Sequence, residues 1–412
     1  MDTYIRGDAN NLTLVTEKIL GESKNKIYSK IKWILSDTDA AQKKSCSEII
    51  RRIMKVDRVV EGEPEWGACN LHNAGNSEKY GKEELSEFTQ ITLKLISKIC
   101  GPTHNKYSAN NIHQNLVLNR KDENLAPITI IPEKGSRFYY LTNNGREFFQ
   151  NFDWLCQFFE KTLKTNRHKK NDQLATLVDL LKRHKNEILL EIGIFVCFWV
   201  YLIKPVYSFF ALPRDSEEAM KVLRNLLNHC KNSDQIKKPI CHLTKSTQIF
   251  DGISSFDSPP SDKSVDFSKD FIEILNTGKI NGKKITAKQF SNLEKITRGF
   301  LVKFYNKYNK EYGGYINKTF DKGSKIFLSN QHVESVFGYF KNRMVDPNTT
   351  GHQLITRTEL VFNKTLSWVL KQDDVDQIFI EASKSKKQNL DKGKRKSLEH
   401  QKQLLEFLNE SA

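Results

Sequence analysis

The chain has 412 residues, 38% of them hydrophobic and 28% charged, which is long enough for a large core and too apolar for a disordered polypeptide. Sixty-five Lys and Arg against 49 Asp and Glu leave a formal charge of +16, large enough to raise an anionic partner, of which nucleic acid is the commonest. Seven widely spaced cysteines, odd in number, read as reduced thiols of an intracellular protein, and the polar start MDTYIRGDANN has no apolar signal region.

In chain order, residues 12–20 (LTLVTEKIL) read as a first helix. An apolar strand at 31–35 then runs into Asp37, followed at once by an amphipathic helix at 40–54 that buries Cys46, Ile49, Ile50 and Ile53. A carboxylate at the carboxyl end of a strand, where the chain turns into a helix, lies where α/β folds put their chemistry. Asp37 also fits a helix N-cap, and Asp39 competes for either role. Cys69 and His72 follow at a Cys-x-x-His spacing. Zinc would need two more ligands, and by type only His229-Cys230 and Cys241-His242 offer them, each as an awkward adjacent pair, so packing and hydrogen bonding is the favoured role.

From there to about residue 313 the pattern is mostly helical. A helix at 83–99 turns Leu85, Phe88, Leu93 and Ile96 inward, 128–131 reads as a short strand, and 148–163 is an aromatic-rich helix. Residues 174–184 are amphipathic, 188–203 form a fully buried helix, and a polar helix occupies 217–230. The twelve uncharged residues at 192–203 are too few for a membrane span, which needs about 20. A long helix at 287–308 places Leu293, Ile296, Phe300, Leu301 and Phe304 inward and Lys303, Lys307 and Lys310 outward, with Gly313 and Gly314 at its end.

Residues 329–368 read as two helices joined by the turn at 346–348. The first carries Glu334 beside an apolar stripe of Val333, Val336, Phe337, Phe340 and Met344. Beyond Trp368 the chain turns polar and basic, with eight Lys or Arg against two acids over 382–402. There is no Walker A loop, dinucleotide turn, His-Glu-x-x-His or Gly-x-Ser-x-Gly, and no small-molecule substrate is evident.

Taken together, ILSDTDAAQKK, CNLHNAGNSE, GSRF at 135–138, DGISSFDSPP at 251–260, NQHVESVFGYF and FNKTLSWV at 362–369 occur in an order that resembles the catalytic domain of DDE transposases of the hAT and P-element kind. The resemblance implies a fold that is mainly α with a small α/β part: an incomplete RNase H-like core (1–75 and 316–370) interrupted by a large all-helical insertion (76–315), then a basic tail (371–412). It also implies that Asp37 is the second acid and Glu334 the third, both catalytic and both ligands of Mg²⁺ in two-metal phosphoryl transfer.

In this family the first acid lies on the first of three strands preceding the initial helix. Only about a dozen residues precede it here, too few for three strands of about 5 to 6 residues each, and Asp2 and Asp8 sit in a polar tail. The implied protein is therefore N-terminally incomplete or degenerate, impaired in catalysis, associated with DNA, and nuclear (or cytoplasmic), with self-association compatible. DNA contacts would come from Arg167, His168, Lys169 and Lys170, from Lys303, Lys307 and Lys310, and from the tail. The other reading is a non-enzymatic helical interaction protein with a basic surface.

Overall fold

The computed structural model describes residues 24–31, 33–36, 40–59, 63–101, 112–132, 139–165, 171–253, 263–316, 318, 325–326 and 328–329, all within one compact unit, Thr16–Asn330. The helix expected at 12–20, Asp37 and Asp39, the basic cluster Arg167, His168, Lys169 and Lys170, and Glu334 with everything after it lie outside the described residues.

A short helix α1 (Lys24–Tyr28) leads to strand β1 (Trp33–Ser36), helix α2 (Ala40–Ile53) and strand β2 (Glu65–Ala68). The two strands pair in parallel, Trp33 opposite Glu65 through Ser36 opposite Ala68. Parallel neighbours require a crossover, and α2 supplies it. Its apolar residues recur at helical spacing, so Cys46, Ile49 and Ile53 are buried while Ile50, expected inward, is only half-buried. Tyr28, Ile49 and Ile53 make a small separate cluster with Ile31, Ile34 and Val56.

The other described residues are mostly helical: α3 (Asn70–Glu84), α4 (Glu87–Cys100), α5 (Ile112–Asp122), α6 (Tyr140–Gln150), α7 (Phe152–Lys164), α8 (Asp172–Phe198), α9 (Lys204–Phe210), α10 (Ser216–Cys230), α11 (Pro239–Thr244), α12 (Lys263–Thr277) and α13 (Ala287–Tyr312). The protein is thus mainly α. Helix α8 is its centre, with α4, α6, α7, α12 and α13 packed around it. From Ile188 to Ile203 every side chain but that of Tyr201 is buried. The continuous run Asp172–Phe210 is long and apolar enough to cross a membrane, but 83% of its apolar window is buried inside the protein, which makes it a core helix.

The amphipathic stretch at 174–184 and the buried one at 188–203, expected as separate helices, are one. His184 (φ −123°, ψ 25°) marks a kink, where its ring stacks on Phe88 at 4.3 Å. A π turn, Trp199–Ile203, joins α8 to α9. Pro205, at the start of α9, cannot donate to the carbonyl four residues back, and the wider turn relieves the crowding its ring would cause.

Several boundaries differ from the periodic pattern. The helix expected at 83–99 is split at Leu85-Ser86, and the one expected at 148–163 is split at Asn151, which closes α6 and opens α7. Asn151 bonds back to the Glu147 carbonyl with both its backbone N–H (3.2 Å) and its Nδ2 (2.9 Å), a local alternative to the helical ladder. Among the described residues, 128–131 pair with no strand. Asn144 takes that place, accepting from the Ile131 N–H and donating to the Ile131 carbonyl, both at 2.8 Å.

Helix α10, expected to be polar, buries Ala219, Met220, Val222, Leu223, Leu226, Leu227 and Cys230. Helix α13 runs to Tyr312 rather than 308, with all five expected inward residues buried. The boundary expected between 75 and 76 falls inside α3, so the parallel pair and the helical block share a helix.

Two small antiparallel pairs complete the unit. Strands β4 (Lys279–Ile280) and β5 (Lys283–Lys284) form a hairpin, while β3 (Arg214–Asp215) pairs with β6 (Lys325–Ile326) and so brings the chain back from its long helical excursion.

Candidate functional site

The site is the carboxyl end of the parallel pair. There the Ser36 carbonyl accepts the Cys69 N–H at 2.8 Å, and the next N–H, that of Asn70, donates to the Leu328 carbonyl at 2.6 Å. Residues 36, 69–70 and 328, remote in sequence, are thereby held by two successive backbone bonds. The Trp66 indole N–H donates to Ser36 Oγ at 2.9 Å. Burial pushes the neighbouring Cys46 thiol up, against a hydrogen bond with Ser36 that pulls it down. In sequence, Asp37 follows Ser36 directly and Glu334 lies six residues beyond Leu328.

The Cys-x-x-His segment opens α3. Cys69 is wholly buried at its N-cap and makes no side-chain cap bond, while His72 is half-buried one turn on. Two buried asparagines between and after them fix this end to α13. Asn70 Oδ1 accepts the Tyr308 hydroxyl at 2.9 Å, and its Nδ2 donates to the Val206 carbonyl at 3.3 Å. Asn73 Nδ2 donates to the Tyr312 oxygen at 2.8 Å, and that hydroxyl donates to the Ala68 carbonyl at 3.1 Å. Burial pushes both tyrosine hydroxyls well up, so they remain donors. Sequence reasoning missed all four residues. A signal existed, since the asparagines stand three apart and the tyrosines four apart, each pair on one helical face.

Two of the three lysines expected to point outward from α13 are engaged within the protein. Lys303 lies 2.7 Å from Glu84 and 3.3 Å from Glu83, and although burial pulls its amine down, those carboxylates hold it above the ordinary lysine value. Lys307 pairs with Glu311 at 3.0 Å, and Glu311 in turn meets Lys43 of α2 at 2.8 Å. Lys43 also sits 5.0 Å over the Trp66 ring, so this cluster joins α2, β2 and α13. Lys310 is exposed.

No cysteine forms a disulfide, and among the described residues no three or more His, Cys, Asp or Glu side chains are grouped to hold a metal. The rings of His229 and His242 stack at 3.9 Å. His229 Nε2 meets Ser246 Oγ at 3.0 Å, and His242 Nε2 meets the His229 carbonyl at 2.7 Å. Burial, then the neighbouring His242, lowers His229 to about 4, so it stays neutral at physiological pH. At the sheet edge the described side chains Ser36, Cys69 and Asn70 bring no carboxylate. The hydroxyl and amide are already bonded, and a thiol is a poor ligand for a hard cation. These residues by themselves do not fit Mg²⁺.

Two buried glutamates hold helix starts from across the core. Glu78 Oε1 accepts the Thr142 N–H at 2.7 Å and its hydroxyl at 2.6 Å. Burial pushes this carboxyl up to about 7, against the pull of the Thr142 and Tyr139 hydrogen bonds and of Lys82. Glu191 Oε2 accepts the Ser86 N–H at 2.9 Å and its hydroxyl at 2.6 Å, while Oε1 accepts from Asn292 at 3.1 Å.

Comparison with protein-family models, with curated proteins and with solved structures finds no match to this chain.

Proposed function

We propose that the chain is a transposase-derived, DNA-binding nuclear protein, the remnant of a two-metal strand-transfer domain in which Asp37 and Glu334 no longer sustain efficient catalysis. The observation that supports this reading is the return of the chain at Leu328 to the carboxyl edge of a parallel β-α-β unit, after an almost wholly helical excursion through α3 to α13. That is the connectivity expected of a split core with an insertion. A formal charge of +16 adds the electrostatic footprint of a phosphate-binding protein.

Fluorescence anisotropy of the full chain on a duplex at low salt tests it. Expected is sequence-independent binding that weakens steeply as salt rises, to a dissociation constant of about 10⁻⁴ to 10⁻⁶ M at physiological salt. No binding at the lowest salt overturns the reading. In a Mg²⁺-dependent nicking assay the chain is expected to stay at the background of Asp37→Asn and Glu334→Gln. Robust nicking abolished by those two changes would overturn the claim of impaired catalysis.

The pairing of Lys303 and Lys307 with acids favours a second reading, a helical scaffold for another protein, which the same anisotropy measurement separates from the first.

A further inference from the structure

The β4–β5 hairpin carries lysines that form no ion pair among the described residues. Gly278 (φ +67°) ends α12, and the two-residue turn is Asn281 (φ +50°) and Gly282 (φ +72°). Both turn residues are left-handed, as a type I′ hairpin turn requires. Ile280 and Ile285 root the ribbon in the core at 4% and 8% exposure, and the Ile285 N–H donates to the Gly278 carbonyl at 2.8 Å. A capping box between Thr286 and Gln289 then fixes the start of α13. The backbone is therefore held on both sides of the turn.

Lys279, Lys283, Lys284 and Lys288 are all exposed, and no acid occurs between 279 and 288. None of the four forms an ion pair within the described residues, and the flanking Glu273 and Glu294 do not reach them. Lys279 stands directly opposite Lys284. Like charges so placed repel and weaken a hairpin, a penalty that an anion laid across them would remove.

We propose that this hairpin is a phosphate-contacting element for duplex DNA. The assignment rests on the DNA-binding reading above and names the surface that carries it. A rigid two-stranded ribbon presenting compact ammonium charges suits backbone contact, which gives affinity and register without reading bases.

The test compares the full chain with the variant Lys279→Gln/Lys283→Gln/Lys284→Gln by anisotropy on two duplexes of unrelated sequence, between about 50 and 200 mM salt. A control of equal charge change, Lys237→Gln/Lys238→Gln/Lys245→Gln, removes exposed lysines elsewhere. Thermal unfolding of each variant confirms that it is folded. The hairpin variant is expected to lose tenfold or more in affinity on both duplexes, and its slope of log affinity against log salt should shrink by about 2 to 3, at about 0.9 per phosphate contact. The control should change the slope by less than 1.

If the parent binds and the hairpin variant keeps its slope, or both triples lose equally, the hairpin assignment is overturned and the DNA reading stands. If the parent does not bind, both fall. If the lysine dependence appears with phosphatidylserine vesicles and not with duplex, the partner is a membrane and the assignment is again overturned.

Discussion

Glu78 has its carboxylate out of water, with hydrogen-bond donors at the start of α6 aimed at it. The donors favour the charged form and burial the neutral one, and burial wins, lifting the group to about 7. A carboxyl raised on folding contributes stability that is fully present below its unfolded value near 4.5 and is lost as pH rises through about 7. Glu78→Gln keeps an acceptor for Thr142 and removes the titration. Urea denaturation from pH 4.5 to 8 should therefore find the variant gaining on the parent as pH rises, by up to about 3 kcal/mol at pH 8, since one pKa unit is worth about 1.4 kcal/mol. Parallel profiles would mean that the charge is compensated. Gly193 of α8 makes a simpler case. A Cβ there would stand 2.1 Å from the buried Phe271 ring of α12, so the two helices approach as closely as they do because that side chain is absent. Gly193→Ala should cost about 1–3 kcal/mol by overpacking, read as a lower urea midpoint at unchanged slope.

Elements meet most tellingly at Glu311, where one buried carboxylate of α13 holds Lys307 on its own helix and Lys43 on α2. Burial pulls its carboxyl up, but the two amines outweigh that and hold it below the ordinary range, so its contribution is present above about 4.5 and is lost as pH falls through the lowered value. Glu311→Gln should cost about 1–3 kcal/mol near neutrality, less than a fully buried pair because both lysines keep some water, and the deficit should shrink in acid. The same cluster marks the limit of what the sequence disclosed. Local periodicity reveals α2, the first half of α8 and α13, because each buries one face at a fixed spacing. The second half of α8 is buried on every side and reads as a helix of its own, and the strand is legible only as an apolar run at 31–35. Periodicity could not reveal that Lys303 and Glu83, 220 residues apart, are partners, so a lysine pointing off the apolar face was read as open to phosphate. The break at Leu85-Ser86 was hidden for the same reason, since its N–H and hydroxyl are taken by Glu191, more than a hundred residues on. At the candidate site the Cys-x-x-His segment was legible as a place. Its fastening by Asn70 and Asn73 to two tyrosines of α13 was not.

Across the whole described unit, a long helical block ends where it began. The β3–β6 pair turns the chain, Ile326 and Leu328 are 4% and 2% exposed, and the Leu328 carbonyl takes the Asn70 N–H. If this return is an integral part of the core, Leu328→Ala in the full chain should cost about 2–5 kcal/mol, the range for truncating a buried leucine. It should also act at a distance. Loss of packing under the Leu328 backbone weakens its hold on the start of α3, so the Asn70 amide, which has no intrahelical partner at that position, should exchange with solvent markedly faster. The Cys69 amide, bonded to Ser36 at the strand end, should follow it. A surface change of similar size at Phe290, which is 38% exposed on α13, should leave both amides as they were. Should Leu328→Ala lower stability while Asn70 and Cys69 keep their protection, the returning segment would be a separate contact rather than part of the edge. The connectivity that supports a split core would then lose its physical basis.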